Sequence, residues 1–267
     1  MIATSSLKGE QTMKKILSVL LALCLCFVLA ACGGAQKDAS ALYQSAMTKI
    51  DKDNMAAVMS INADVETGGM TTNVTMEMDM ASKTAGDDTT MSMKMNMGAM
   101  GMTIDMAMYM ADGYYYADML GMKVKQKISE ADTDLTGQLS DLSGSLLLDE
   151  SVITIEKAEQ KDGNTVISFT VSKDKMNELV ELLSSQMMSG ASNITIESVS
   201  GTVTVDKNET LVAETMNIAY TMDTNGETGS ANMTMELKDI RFGDSVTVEL
   251  PDDLDEYVES SDGSIEL

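Results

Sequence analysis

The chain has 267 residues, with 42 Asp and Glu against 18 Lys and Arg, no His, no Trp and one proline. A net charge of −24 opposes binding to nucleic acid and to anionic headgroups. Without His the commonest general base and the commonest metal ligand are missing, so Ser–His–Asp catalysis and His-based zinc sites are excluded. No phosphate loop of the G-x-x-x-x-G-K type is present.

Taken in chain order, the N-terminus reads as a secretion leader. Lys14-Lys15 gives a positive start, Ile16 to Val28 an apolar run, and Ala30-Ala31 the small residues that a signal peptidase needs. The run is too short and wrongly flanked for a transmembrane helix. Leu29-Ala30-Ala31-Cys32 resembles a bacterial lipobox, which implies cleavage before Cys32 and a lipid on its thiol. That places the protein on the extracytoplasmic face of a bacterial cell membrane, attached through Cys32. Residues 1–31 are then the signal peptide. Residues 1–12 read as a start-site misassignment, with Met13 the more natural start.

Residues 32–38 form a short flexible lipidated tether. Two acyl chains on Cys32 make a stable anchor, at about 0.8 kcal/mol per buried CH₂. Cys24 and Cys26 leave with the leader, so the mature chain has no disulfide and its hydrophobic core must suffice. Removing residues 1–31 leaves 15 basic and 41 acidic residues, a net charge of −26.

Asp38 to Val58 is expected to be an amphipathic helix, with Leu42, Ala46, Ile50, Met55 and Val58 at helical spacing. From Met59 the period is two. Met59, Ile61, Ala63 and Val65 alternate with polar residues, as do Val74 to Met80, Met91 to Met97 and Met102 to Met110. Gly68-Gly69, Gly98 to Gly101 and Asp112-Gly113 mark the turns. Tyr114 to Tyr116 and Met122 to Ile128 continue the meander. This is an antiparallel pattern with one apolar and one wet face.

Ser129 to Leu142 reads as helical. Val152 to Ala158 and Thr165 to Val171 read as a hairpin. Lys173 to Met188 reads as a second amphipathic helix, capped by Ser172 and stopped by Gly190. Ile194 to Asp206, Leu211 to Met222, Ala231 to Phe242 and Val246 to Leu250 are the last strands. After Pro251 the acidic chain is expected to fray. The fold class is α+β: a curved antiparallel sheet of about eleven strands, incomplete and half-barrel-like, packed on helices. One domain spans residues 39–257, with an acidic tail over 258–267.

The 27 methionines fall mostly on the predicted apolar face. Met can simply fill a core there. It also suits a wall that accepts variable apolar ligands, because it is unbranched and polarizable. Met76, Met78, Met91, Met93, Met95, Ile104, Met106 and Met108 are the candidate lining residues. Met-x-Met-x-Met also spaces thioethers about 7 Å apart along one strand face, and thioethers favour Cu(I). The acidic pairs Asp51/Asp53, Asp132/Asp134 and Asp252-Asp253 complete no calcium loop and read as solvated surface.

A lipobox, a first helix, a long antiparallel meander and inserted helices together resemble the LolA/LppX/LprG-like group and some Gram-positive lipoproteins. The closing Val246-Thr247-Val248-Glu249-Leu250-Pro251 is similar to the last strand of such proteins. The resemblance implies a curved sheet wrapped around helices, with an apolar ligand held between them in several members. The expected function is therefore non-catalytic binding of a lipid or other apolar ligand by a membrane-anchored lipoprotein, with no enzyme activity, no cofactor and no metal site. An interaction or sensor domain with a filled core, its protein partner unknown, and Met-based Cu(I) binding are the alternatives.

Overall fold

Asp51 decides where the helix gives way to the sheet. Its Oδ1 accepts hydrogen bonds from the backbone N–H groups of Asp53 (3.2 Å) and Asn54 (3.1 Å), which turns the chain just before the first strand. The computed structural model describes residues 39–86, 88–128, 148, 151–176, 194–224 and 227–260. Helix α1 covers residues 39–48, not the full Asp38–Val58 stretch. Met55 and Val58 match a helical stripe only by coincidence. Met55, Ala57, Met59, Ile61 and Ala63 are buried at period two, so the strand rhythm already starts at Met55.

Twelve strands follow in the described residues. A six-strand meander comprises β1 (Asn54–Thr67), β2 (Met70–Ala85), β3 (Asp88–Ala99), β4 (Met102–Ala111), β5 (Tyr114–Met119) and β6 (Met122–Lys127). A second group comprises β7 (Ile153–Lys161), β8 (Asn164–Val171), β9 (Ile194–Val205), β10 (Leu211–Thr224) and β11 (Glu227–Phe242), and β12 is Val258–Glu259. The spatial order is β12-β6-β5-β4-β3-β2-β1-β11-β10-β9-β8-β7, one open curved sheet not closed into a barrel. All pairings are antiparallel except β12 with β6.

The expected helix over Ser129–Leu142 lies outside the described residues, as does most of Lys173–Met188. Among the described residues no helix is long and apolar enough to cross a membrane.

One face of the sheet, the inner face, carries the core. Tyr43 and Ala46 of α1 are fully buried against it, together with Ile167, Phe169, Val203, Val205, Leu211 and Leu237. Each such side chain contributes about 1.5–3 kcal/mol by leaving water. The Tyr43 hydroxyl donates to the Leu148 carbonyl. At the end of α1, Lys49 Nζ donates to the Asn208 carbonyl at 2.6 Å and Ser45 Oγ to Glu209 at 2.5 Å. Gly201 of β9 faces Phe169 of β8 in register, and a Cβ there would meet Phe169 Cζ at 2.6 Å and the Thr215 carbonyl at 2.3 Å. The glycine lets the ring lie flat over the sheet. Bulges at Val212 in β10 and around Glu197 in β9 shift the inward phase and help bend the sheet.

The chain after β11 differs from expectation. Among the described residues Val246 to Leu250 pairs with no strand. It runs as a strap across the outer face, with Val246 fully buried and its carbonyl accepting from Lys83 Nζ at 2.9 Å. The chain does not fray after Pro251 either. Tyr257 is buried in an outer cluster with Tyr109, Ala111 and Tyr116, edge-on to the Tyr116 ring at 5.4 Å. Lys123 Nζ grips the strap through Asp253 (2.5 Å) and Glu256 (2.9 Å), and β12 then pairs with β6. Aromatic burial, not acidity, decides the course of this segment. Residues 261–267 of the expected tail lie outside the described residues.

Candidate functional site

Across the meander the inner face is built of methionine opposite methionine. Met80 of β2 faces Met93 of β3, which faces Met108 of β4. The next row runs Met59, Met78, Met95, Met106, Met119, Met122 over β1 to β6, and Met76 faces Met97 beyond it. Antiparallel partners keep their Cβ atoms about 4.5–5.5 Å apart, so the thioethers form a continuous carpet.

The carpet changes in burial along one row. Met59 and Met78 are buried, Met95, Met106 and Met119 are half-buried, and Met122 is 64 % exposed. The apolar face is thus closed where it meets α1 and the second strand group, and opens toward β6. No Asp, Glu, Lys or Arg faces inward from β2 to β5. The charged residues of these strands sit on the outer face, where Glu77, Asp79, Lys94, Asp105 and Asp118 surround a groove of about 520 Å³.

All eight predicted lining residues fall on the inner face. Met78 and Met91 are buried there. Met76, Met93, Met95, Met106 and Met108 are half-buried, and Ile104 is exposed. Met91 packs with Met110 and Tyr115, closing the carpet at the end opposite Met102. Cys32 lies outside the described residues. Of the tyrosine triplet, Tyr115 joins the inner face and Tyr116 the outer cluster. Burial, then the Tyr109, Asp118 and Asp253 charges, push the Tyr257 hydroxyl up to about 12, so it is neutral at any ordinary pH.

Sequence reasoning missed Glu214. It points inward from β10 between Val203 and Leu237, is 2 % exposed, and its carboxylate oxygens have no hydrogen-bond partner among the described residues. Burial alone pushes its carboxyl up to about 8, so it is mostly protonated at neutral pH. The signal was present in the sequence: Glu214 shares its parity with Met216, Ile218 and Tyr220. Among the described residues no group of three His, Cys, Asp or Glu is placed to hold a metal ion. Thioethers neither take nor give protons. The face can hold an uncharged apolar molecule or, as a soft-donor surface, Cu(I).

No protein of curated function matches the chain. Solved structures similar to it include a DUF1329 family protein from Desulfovibrio piger, 12 % identical, TM-score 0.25, over 80 % of this chain and 95 % of that one. Another is a LolA superfamily protein from Nitrosomonas europaea, 11 % identical, TM-score 0.25, over 81 % and 96 %. A family match covers residues 38–255, from the tether through the strap, and the chain belongs to that family, described as a family of unknown function (DUF6612).

Proposed function

We propose that this protein is an extracytoplasmic lipoprotein, anchored through Cys32, that holds an uncharged apolar ligand of the lipid class against the methionine carpet of β2 to β5. The observation that carries the reading is the single row from buried Met59 to exposed Met122, an apolar wall continuous with the core but not filled by it. Methionine side chains can re-pack around ligands of different shape at small cost. Nothing charged on that wall would select a polar headgroup, so the acyl portion is the recognised part.

Native mass spectrometry of the full chain, released from membranes in mild detergent, tests this. A bound species of lipid mass is expected, and Met93→Asp or Met106→Asp should remove it, since a buried carboxylate beside an acyl chain is strongly unfavourable. A lipid adduct that survives both substitutions sinks the reading. A clean protein mass favours the filled-core interaction domain, because Met76, Met80, Met93 and Met95 also pack against the main core. A copper adduct favours the soft-metal alternative.

A further inference from the structure

The two ends of the meander carry different residues in the same type of turn. At one end, Asp112-Gly113 connects β4 to β5, with φ of 53° and 77°. Asp162-Gly163 connects β7 to β8 in the same conformation, with φ of 53° and 83°. These are two-residue turns with both residues left-handed, where Asp, Asn and Gly are the usual occupants. At the other end the first position holds Met100 (φ 53°) between β3 and β4 and Leu120 (φ 54°) between β5 and β6. Bulky apolar residues are strained there. They gain nothing from the fold in return, being 78 % and 68 % exposed.

Their surroundings repeat the contrast. Thr67 to Thr72, Gly98 to Ile104 and Met119 to Met122 contain no charged residue, in a chain of net charge −24. Met70, Met102 and Met122 add exposed apolar side chains at the same three tips. Turns and strand starts at the opposite end carry acidic residues, with Asp88, Asp112, Asp162 and, beside the start of β1, Asp51 and Asp53.

The tips also step evenly. The β1–β2 tip at Met70 lies four residues beyond Val74, the residue level with the β3–β4 tip at Ala99. The β3–β4 tip at Met102 lies four residues beyond Met106, the residue level with the β5–β6 tip at Met119. Each step is about 13 Å along the strands and about 10 Å across them. The three tips therefore follow one another in even steps along the same end of the sheet.

We infer that these three tips are a membrane-contact edge that dips into the interface of the bilayer carrying the protein. The partner is the bilayer and not a second protein, on three grounds. The contact is made of exposed, uncharged apolar side chains, as shallow insertion requires. The chain outside the described residues supplies the apolar run Ile16 to Val28 and Cys32, only seven residues ahead of α1. The three tip segments themselves carry no acidic residue, so the side chains that would meet the headgroups bring no charge of their own. The anchor holds the protein at the membrane, and the tips set its orientation, with exposed Met102, Ile104 and Met122 bringing the open end of the carpet down to the lipid. The inference deepens the proposed function by assigning the entry side, and it uses that reading only for the presence of a membrane anchor.

The natural absence of Trp supplies the test. Leu120→Trp and Met100→Trp on one side, and Asp112→Trp and Asp162→Trp on the other, each give the full chain its sole tryptophan. The chains are reconstituted in phosphatidylcholine vesicles with plain or brominated acyl chains. At the two tips the emission should shift to the blue and lose most of its intensity to brominated lipid, while the two opposite turns stay unshifted and unquenched. Equal quenching at both ends, or none at the tips, overturns the inference. So does a blue shift that depends on protein-to-lipid ratio in plain vesicles, which marks contact between copies. As a second variant, Asn at both 100 and 120 relieves the left-handed strain and should lower the quenching of a Met70→Trp probe without lowering the unfolding midpoint. Undiminished quenching there would also count against it. The comparison holds whether the anchor is the lipid on Cys32 or the apolar run itself, and no bound ligand is needed.

Discussion

The two halves of this sheet solve the same problem with different side chains. In β7 to β11 the inner face is mostly branched or aromatic, with Ile167, Phe169, Val199, Val203, Val205, Ile218 and Leu237, and its methionines Met216, Met233 and Met235 are all buried. In β2 to β5 the same face is almost entirely methionine, and most of it is half-buried. Branched residues specify one packing, whereas unbranched thioethers tolerate several. One half therefore reads as scaffold and the other as surface meant to adapt.

The largest expected break of that comparison is Phe169→Ala. Its ring covers Gly201, so truncation should cost about 3–5 kcal/mol in urea denaturation. Met106→Ala, in the adaptable half, should cost only about 1 kcal/mol, since less area leaves water there. Equal losses would erase the distinction.

Glu214 is the exception inside the rigid half. Its folded pKa, about 8, lies above its ordinary 4.5, so the folded state binds the proton more tightly. Stability from this group is complete below the ordinary value and is lost as pH rises toward 8, by on the order of 3 kcal/mol at neutral pH. Glu214→Leu should raise the unfolding midpoint at pH 8 and leave it little changed near pH 4.5. A gain of the same size at both pH values would contradict the protonation argument.

On the outer face, Tyr257→Ala should cost about 2 kcal/mol by emptying the Tyr109–Tyr116 cluster. The strap should then become open to limited proteolysis near Asp255. The smallest effect is expected for Met95→Leu, under about 1.5 kcal/mol because volume is nearly conserved. Its consequence should show instead as a narrower range of bound lipid masses.

Strand rhythm was legible because one face is apolar and the other wet. From Met59 through Met110 the alternation separates the inward methionines from the polar outer residues, and the eight candidate lining residues share that inward face. The first helix was overextended because Met55 and Val58 fit both periods, and only the Asp51 turn separates them. The strap was misread because Val246, Val248 and Leu250 alternate like a strand. Lys83 bonds the Val246 carbonyl and Leu250 packs on the outer tyrosine cluster, contacts that sequence periodicity does not encode. Glu214 escaped notice because a single acid among 42 carries no weight until its parity is checked.

The two-residue strand β12 has a consequence out of proportion to its length. A long open sheet has two bare margins, each a template for another chain. Along β7, Glu156, Lys157, Glu159 and Lys161 put charge on the margin. Along β6 the protection is the chain's own β12: Val258 and Glu259 lie beside Val124 and Lys125, and the Ser260 N–H bonds the Lys125 carbonyl at 2.9 Å. A chain cut after Pro251 would lose that cover and bare a margin next to the exposed thioether of Met122, where growth of the sheet from one molecule into the next could begin.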